Sequence, residues 1–154
     1  MTYATSTTSP AESAQLASRL ATLLRGGEVI ELASDLGGGK TTFVQGLAQA
    51  LGFTGRVASP TFTLAQVYPL PNGLELHHYD LYRLGAAGII GNELAEDMGQ
   101  PKVITIIEWA GVAENVLPVD RLRIEIEVMG EQERHWIFHP HGPVLERLVK
   151  GLRP

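Results

Sequence analysis

Residues 34 to 41 read Ser34-Asp35-Leu36-Gly37-Gly38-Gly39-Lys40-Thr41. The octet meets the phosphate-loop pattern G-x-x-x-x-G-K-[ST] at Gly39, Lys40 and Thr41, with Ser34 standing where the pattern has its first glycine. Glycines let backbone N–H groups curl round a polyphosphate, and a helix starting at the loop adds unsatisfied donors and a partial positive charge. Lys40 would then reach the β- and γ-phosphates, and the Thr41 hydroxyl would hold Mg²⁺. The plain alternative is a glycine-rich turn capping an ordinary helix, with Lys40 a solvated charge. Three glycines, a lysine and a hydroxyl in register between the right elements argue against it.

Two further acids sit where such a loop needs them. The run 74–79 ends in Asp80, and the run 103–107 ends in Glu108. In open α/β sheets ligands lie beyond the carboxyl ends of parallel strands, where a phosphate-loop enzyme uses an acid to orient Mg²⁺ or the attacking water. Either acid suits that task. A single strand-end acid is as readily a solvated polar residue, but a pair of them in a chain with a phosphate loop points to function. His77, His78, His135, His139 and His141 could in principle form a metal site, and His135 and His139 would share a strand face, but without cysteine partners or a helix to carry the His-x-x-x-His spacing they read as ordinary strand and turn residues. No Ser-His-Asp arrangement can be assembled from spacing.

The elements that must position these residues follow from periodicity. Ser9-Pro10-Ala11-Glu12 is a capping box with proline at the first helical position. It opens a helix that turns Leu16, Leu20, Leu23 and Leu24 inward and closes at Gly26-Gly27. An apolar strand over 29–33 leads into the loop, and an amphipathic helix over 41–51 follows it and stops at Gly52. After the break at Ser59-Pro60-Thr61, the runs 62–68 and 74–79 predict an antiparallel hairpin around Pro69-Leu70-Pro71-Asn72-Gly73.

Residues 81–101 are less legible, with a short helix expected between Ile90 and Met98. Val103-Ile104-Thr105-Ile106-Ile107 has the look of a buried strand, whereas Leu122, Ile124, Ile126 and Val128 alternate with Arg123, Glu125 and Glu127 as in a half-exposed one. A turn at Gly130-Glu131 should return the chain over 135–139, and residues 143–152 predict a terminal helix. Two hairpins rule out an all-parallel sheet. The sum is an α/β fold, a three-layer P-loop NTPase-like domain with a mixed parallel and antiparallel sheet. One nucleotide-binding domain would span 1–154, with residues 1–8 a flexible N-terminal extension.

Composition agrees with a compact cytoplasmic domain. The chain has 154 residues, 44% hydrophobic and 19% charged, enough for one buried core and too apolar for disorder. The absence of cysteine removes disulfides, thiolate metal sites and thiol catalysis together. No apolar run approaches a membrane span, and the Thr/Ser-rich start lacks the basic and apolar regions of a signal peptide. A net charge of −5 speaks against unaided binding to a nucleic-acid backbone, so any RNA would be touched by a partner.

Four blocks taken together resemble the TsaE (YjeE) family. They are Ser34 through Phe43, then Ser59-Pro60-Thr61-Phe62-Thr63-Leu64, then His78-Tyr79-Asp80-Leu81-Tyr82-Arg83-Leu84, then Ile107-Glu108-Trp109, in the family's order and spacing. The resemblance runs from Ser9 to the last hairpin. It implies a cytoplasmic ATPase, with ATP/ADP and Mg²⁺ as cofactors, that assists formation of N6-threonylcarbamoyladenosine at position 37 of tRNA. Its implied partners are the TsaD and TsaB proteins, with tRNA met only indirectly and no membrane involved.

By position, the resemblance assigns the phosphates to Leu36, Gly37, Gly38, Gly39, Lys40 and Thr41, with Thr42 beside them, and Mg²⁺ to Thr41 and Glu108. Lys40, Asp80 and Glu108 would be the catalytic set, Asp80 being an acid needed for hydrolysis. Residues 59–63 and 80–83 match switch-like segments, Trp109 a tryptophan beside the site, and Ser9 and Arg134 positions near the base. By its own chemistry Trp109 reads rather as a core-packing residue. Ser9 is already explained as a helix cap.

Three departures from the family pattern stand out: Ser34 for glycine, Gly38 for alanine, and Gly85-Ala86-Ala87-Gly88-Ile89-Ile90 where an acidic segment is usual. Hydrolysis at such a site should be slow alone, since a missing arginine finger costs about 10³–10⁵ in rate. Arg83 in cis, or a partner, would supply that charge, although Arg83 could equally pair with a nearby acid such as Asp80. Rival readings are a small-molecule kinase, which would carry a lid with clustered arginines not seen here, and a nucleotide-sensing adaptor without useful turnover. A GTPase is disfavoured because no Asn-Lys-x-Asp motif occurs.

Overall fold

The computed structural model describes the backbone of residues 1–34, 39–55, 65–81, 88–109 and 116–154, and the side chains of all of these but 88–91 and 93. In chain order the elements are β1 (Tyr3–Thr7), α1 (Pro10–Ala21), β2 (Val29–Ala33), α2 (Lys40–Ala50), β3 (Ala65–Pro69), β4 (Glu75–Asp80), α3 (Gly88–Asp97), β5 (Val103–Glu108), β6 (Arg121–Val128), β7 (Arg134–His141) and α4 (Pro143–Leu152). The strands form one seven-stranded sheet in the order β1-β7-β6-β2-β5-β4-β3. Its middle, β6-β2-β5-β4, is parallel, and the flanking β7, β1 and β3 run antiparallel to their neighbours.

A parallel strand covered on both faces reads as a continuous apolar run. β5 is such a strand, buried at all six positions. One face of the sheet carries the main core, in which Ile30, Leu32, Ile104, Ile106 and Ile124 meet Leu16 and Leu20 of α1, Phe43, Val44 and Leu47 of α2, and Leu148 and Val149 of α4. On the other face Val29, Tyr79 and Ile107 meet Leu94 and Met98, at the end of α3. This is the expected three-layer α/β arrangement with a mixed sheet. α1 and α2 cross closely: a Cβ on Gly46 would lie 3.2 Å from the Ala14 Cα and 3.3 Å from the Ala17 Cβ.

α1 is capped as expected, Ser9 Oγ accepting from the Glu12 N–H at 3.1 Å with Pro10 at the first helical position. The reciprocal half of the box is displaced, because the Glu12 carboxylate accepts from the N–H of Thr8 at 2.7 Å and from its hydroxyl at 2.9 Å. The Thr8 amide, then its hydroxyl, hold the Glu12 carboxyl below the usual carboxylate range. The regular helix ends at Ala21, short of Gly26-Gly27, and tighter bonds from Leu23 N–H to Leu20 O and from Leu24 N–H to Ala21 O continue the chain. α2 stops at the expected place, since Gly52 has φ +107 and a Cβ there would lie 2.7 Å from the Pro71 ring. The first predicted hairpin is β3–β4, closed by a short 3₁₀ turn at Pro71–Gly73. Positions 62–64, expected as the start of its first strand, lie outside the described residues.

The expectation of a flexible extension over residues 1–8 is corrected: residues 3–7 are β1, an edge strand paired with β7 from Tyr3 opposite Phe138 to Thr7 opposite Arg134. Alternation is the reason. Tyr3 and Thr5 are half-buried and Thr7 is buried, while Ala4 and Ser6 face solvent. Tyr3 packs on Phe138 with ring centroids 5.8 Å apart.

Thr7 Oγ1 accepts from the Trp136 indole N–H at 2.9 Å and shares a second bond with Ser13 Oγ at 2.8 Å. Thr7→Val keeps the shape and β-branching but strands a buried N–H and a buried hydroxyl. It is expected to cost about 1–3 kcal/mol, read as a lower urea midpoint at unchanged slope.

Candidate nucleotide site

β2 and α2 deliver the ends of the glycine loop to the carboxyl edge of the parallel strands. Leu36, Gly37 and Gly38 lie outside the described residues, as do residues 59–63 and Arg83. Gly39 is the N-cap of α2 with φ +93 and ψ +18, a left-handed conformation that glycine adopts without steric cost. Lys40 begins the helix and is buried, its ammonium donating to the Ser34 carbonyl at 3.1 Å and lying 4.8 Å from the centroid of the Trp109 ring. Thr41 and Thr42 follow in the first turn, half-buried and exposed respectively.

Trp109 leaves β5 with φ +60, one of two non-glycine residues among those described with positive φ. A bulky residue there costs of order 1–3 kcal/mol and is tolerated where its surroundings fix it, commonly at functional sites. The ring packs against the α3-side cluster, as its own chemistry predicts, and also meets the Lys40 ammonium.

The two strand-end acids are brought together. β4 and β5 pair in parallel register with Asp80 opposite Glu108, and β5 pairs with β2 with Glu108 opposite Leu32. Residues opposite one another share a sheet face, and Leu32 packs against α2 in the main core. Both carboxylates therefore stand on the face of the sheet that carries α2, and both are buried, Asp80 to 5% exposure and Glu108 to 3%. His78 is more than the ordinary strand residue its sequence context predicts. It is fully buried two residues before Asp80, with Nε2 2.5 Å from Glu108 Oε2.

Arg134, at the start of β7, reaches the loop side: a Cβ on Gly39 would lie 3.9 Å from its Nε, while its Nη1 donates to the carbonyls of Gly130 and Glu133 at 2.9 and 3.0 Å. A cavity of about 80 Å³ opens between Gly39 and Thr42 on one side and Glu131, Gln132 and Arg134 on the other, with Pro10, Ser13 and Trp136 completing it. Ser9 is not among its lining residues and stays engaged as the α1 cap, whereas its neighbours Pro10 and Ser13 are there. Periodicity could not have assigned Gln132 or Ser13 to this place, because it depends on the β6–β7 turn folding over α2.

The remaining histidines go to separate places. His77 Nδ1 meets Asp97 at 2.7 Å, and His135 Nδ1 meets Ser6 Oγ at 3.1 Å. Among the described residues no helix is long and apolar enough to cross a membrane.

Comparison with known proteins is consistent across sequence and structure. The family model described as "Threonylcarbamoyl adenosine biosynthesis protein TsaE" matches residues 7–136. The chain is similar to the "tRNA threonylcarbamoyladenosine biosynthesis protein TsaE" of Bacillus subtilis, with 36% identity over 95% of this chain and 90% of that one. It is similar to the protein of the same description from Aquifex aeolicus, with 41% identity over 78% of this chain and 83% of that one. Among solved structures, that of Bacillus subtilis YdiB superimposes with a TM-score of 0.82 at 33% identity, covering 99% of this chain and 94% of that one.

Proposed function

This chain belongs to the TsaE family, and on that premise we propose that it is a partner-dependent ATPase of tRNA threonylcarbamoyladenosine biosynthesis, hydrolysing ATP to ADP and phosphate to drive turnover of a TsaB–TsaD complex. The observation that carries the reading is the placement of Lys40 at the start of α2, beside the carboxyl edge where Asp80 and Glu108 stand in one row on α2's face of the sheet. The left-handed Gly39 and the first turn of α2 would face the phosphates with N–H groups, and Lys40 would neutralise the β- and γ-phosphate oxygens.

Thr41 and Glu108 fit Mg²⁺, because a hydroxyl and a buried carboxylate are the hard oxygen donors that ion takes. Bound there, Mg²⁺ would neutralise charge developing on the phosphate oxygens. Asp80, in register beside Glu108, would orient the attacking water. The cavity between Thr42 and Arg134 would receive the nucleoside end, and the acidic surface leaves tRNA to the partners.

The test is phosphate release by the purified chain with and without TsaB and TsaD, together with retention of the chain on that complex in ATP and in ADP. Partners are expected to raise the rate by about 10³-fold or more, as when a missing cation is supplied to the transition state, and retention is expected to depend on the nucleotide. An unchanged rate with nucleotide-dependent retention would instead assign an adaptor. Transfer of the γ-phosphate to a metabolite would assign a kinase.

A further inference from the structure

We propose that His78 is the positioning residue of Glu108: its imidazole holds one carboxylate oxygen, so that the other is fixed in place for the cation. The proposal rests on the ATPase reading above and adds a residue to it. His78 stands opposite Ile106 in the parallel β4–β5 ladder, two positions before the Asp80–Glu108 pair, and reaches Glu108 along the diagonal on the same sheet face. The contact, Nε2 to Oε2 at 2.5 Å, is at the short limit of a bond to a carboxylate, and both side chains are almost wholly enclosed. To hold an ionised Glu108, which only accepts, Nε2 must carry the proton and donate it.

The other ring nitrogen shows what the residue is for. His78 Nδ1 is buried and, among the described residues, has no hydrogen-bond partner. A histidine kept for packing would pair both nitrogens or give way to an apolar residue of similar volume, since an idle buried polar atom is costly. Here the single engaged nitrogen is the one facing Glu108. Asp80 stands opposite Glu108 in register, so the bond to His78 also fixes where the Glu108 carboxylate rests relative to its neighbour. Held from below by His78, Glu108 keeps one orientation before any cation arrives, as outer-shell partners do for metal-ligating carboxylates.

The experiment uses the full chain and a non-hydrolysable ATP analogue, titrating Mg²⁺ at fixed nucleotide and repeating nucleotide binding in EDTA. His78→Asn puts an amide where Nδ1 lies and loses the contact, whereas His78→Gln can place an N–H where Nε2 lies. The Mg²⁺ concentration at half-saturation is expected to rise about 10–100-fold in H78N and to stay within about threefold of wild type in H78Q, with binding in EDTA alike in all three. A purely structural role would lower the melting temperature of both variants and leave the Mg²⁺ midpoint alone, which overturns the proposal.

A readout on the unsubstituted protein guards against misfolded variants. NMR of isotope-labelled histidine should place a proton on His78 Nε2 and move that resonance when Mg²⁺ and nucleotide are added together. A resonance that does not respond overturns the proposal as well. Wild-type protein whose nucleotide binding ignores Mg²⁺ overturns the ATPase reading and this proposal with it, whereas Mg²⁺-dependent wild type beside an unaltered H78N overturns this proposal alone.

Discussion

Lys40→Ala is expected to lower partner-stimulated phosphate release by about 10²–10³ or more, the loss seen when one preorganised stabiliser of transition-state charge is removed. The ammonium is not a dangling surface charge. Lys40 is buried, donates to the Ser34 carbonyl at 3.1 Å and rests over Trp109 at 4.8 Å, so it links the strand end, the helix start and the end of β5. The stem is already pinned, so little side-chain entropy would be lost on the proposed contact with the phosphates. Alanine removes the charge and the link together, so nucleotide affinity should fall as well as rate. Lys40→Met restores much of the apolar stem but not the ammonium, and it should be as slow as alanine while melting closer to wild type. Release within tenfold of wild type, in folded protein with its partners, would place phosphate neutralisation on another residue.

What the sequence disclosed about this region was whatever is local. The glycine loop, the buried strand before it and the amphipathic helix after it are neighbours in the chain, and their register is set by period and by punctuation at Gly39 and Gly52. α4 appears at Pro143–Leu152, as its apolar spacing requires, and β6 buries Leu122, Ile124 and Ile126 by simple alternation. What stayed hidden depends on pairing across the chain. Tyr3-Ala4-Thr5-Ser6-Thr7 looks like a polar leader until β7 offers an edge and Trp136 offers an N–H; only then does its alternation acquire a buried side. The same holds for His78. Its signal was present as parity, two residues before a strand-end acid and hence on that acid's face, but its partner comes from a parallel strand 30 residues on. The cavity beside Thr42 needs the β6–β7 turn, which periodicity places in sequence and not in space.

Replacing Glu31 by alanine should be strongly destabilising, although the residue lies away from the candidate nucleotide site. Glu31 lies in β2 between Ile30 and Leu32, so its side chain leaves the sheet on the face opposite α2, where it is 7% exposed. There it accepts from Arg121 Nε at 3.1 Å and from Arg123 Nη1, two guanidiniums spaced one pleat apart on β6, and Arg123 also meets Glu125 at 3.3 Å. Breaking a fully dry ion pair costs about 3–5 kcal/mol because a charge is left buried. Here both arginines reach solvent, 22% and 37% exposed, so after discounting for screening about 2–3 kcal/mol is expected. For a domain of this size that is a fall of roughly 4–12 °C in melting temperature.

The arrangement makes a second, sharper prediction about coupling. If the loss comes from stranded guanidiniums, Glu31→Ala should cost much less in a chain that already carries Arg121→Ala and Arg123→Ala, leaving only the small cavity term; equal costs in both backgrounds would show that packing alone was lost. The point bears on function because Glu31 sits three residues before Ser34 and ties β2 to β6, the strand pair from whose end the loop departs. Loosening that tie lets the loop's first residue drift relative to Lys40, and drifts of about 1 Å at a positioned group can cost on the order of 10²-fold in rate. Phosphate release by Glu31→Ala, measured well below its melting temperature, should therefore fall with nucleotide affinity largely kept, whereas Lys40→Ala should lose both.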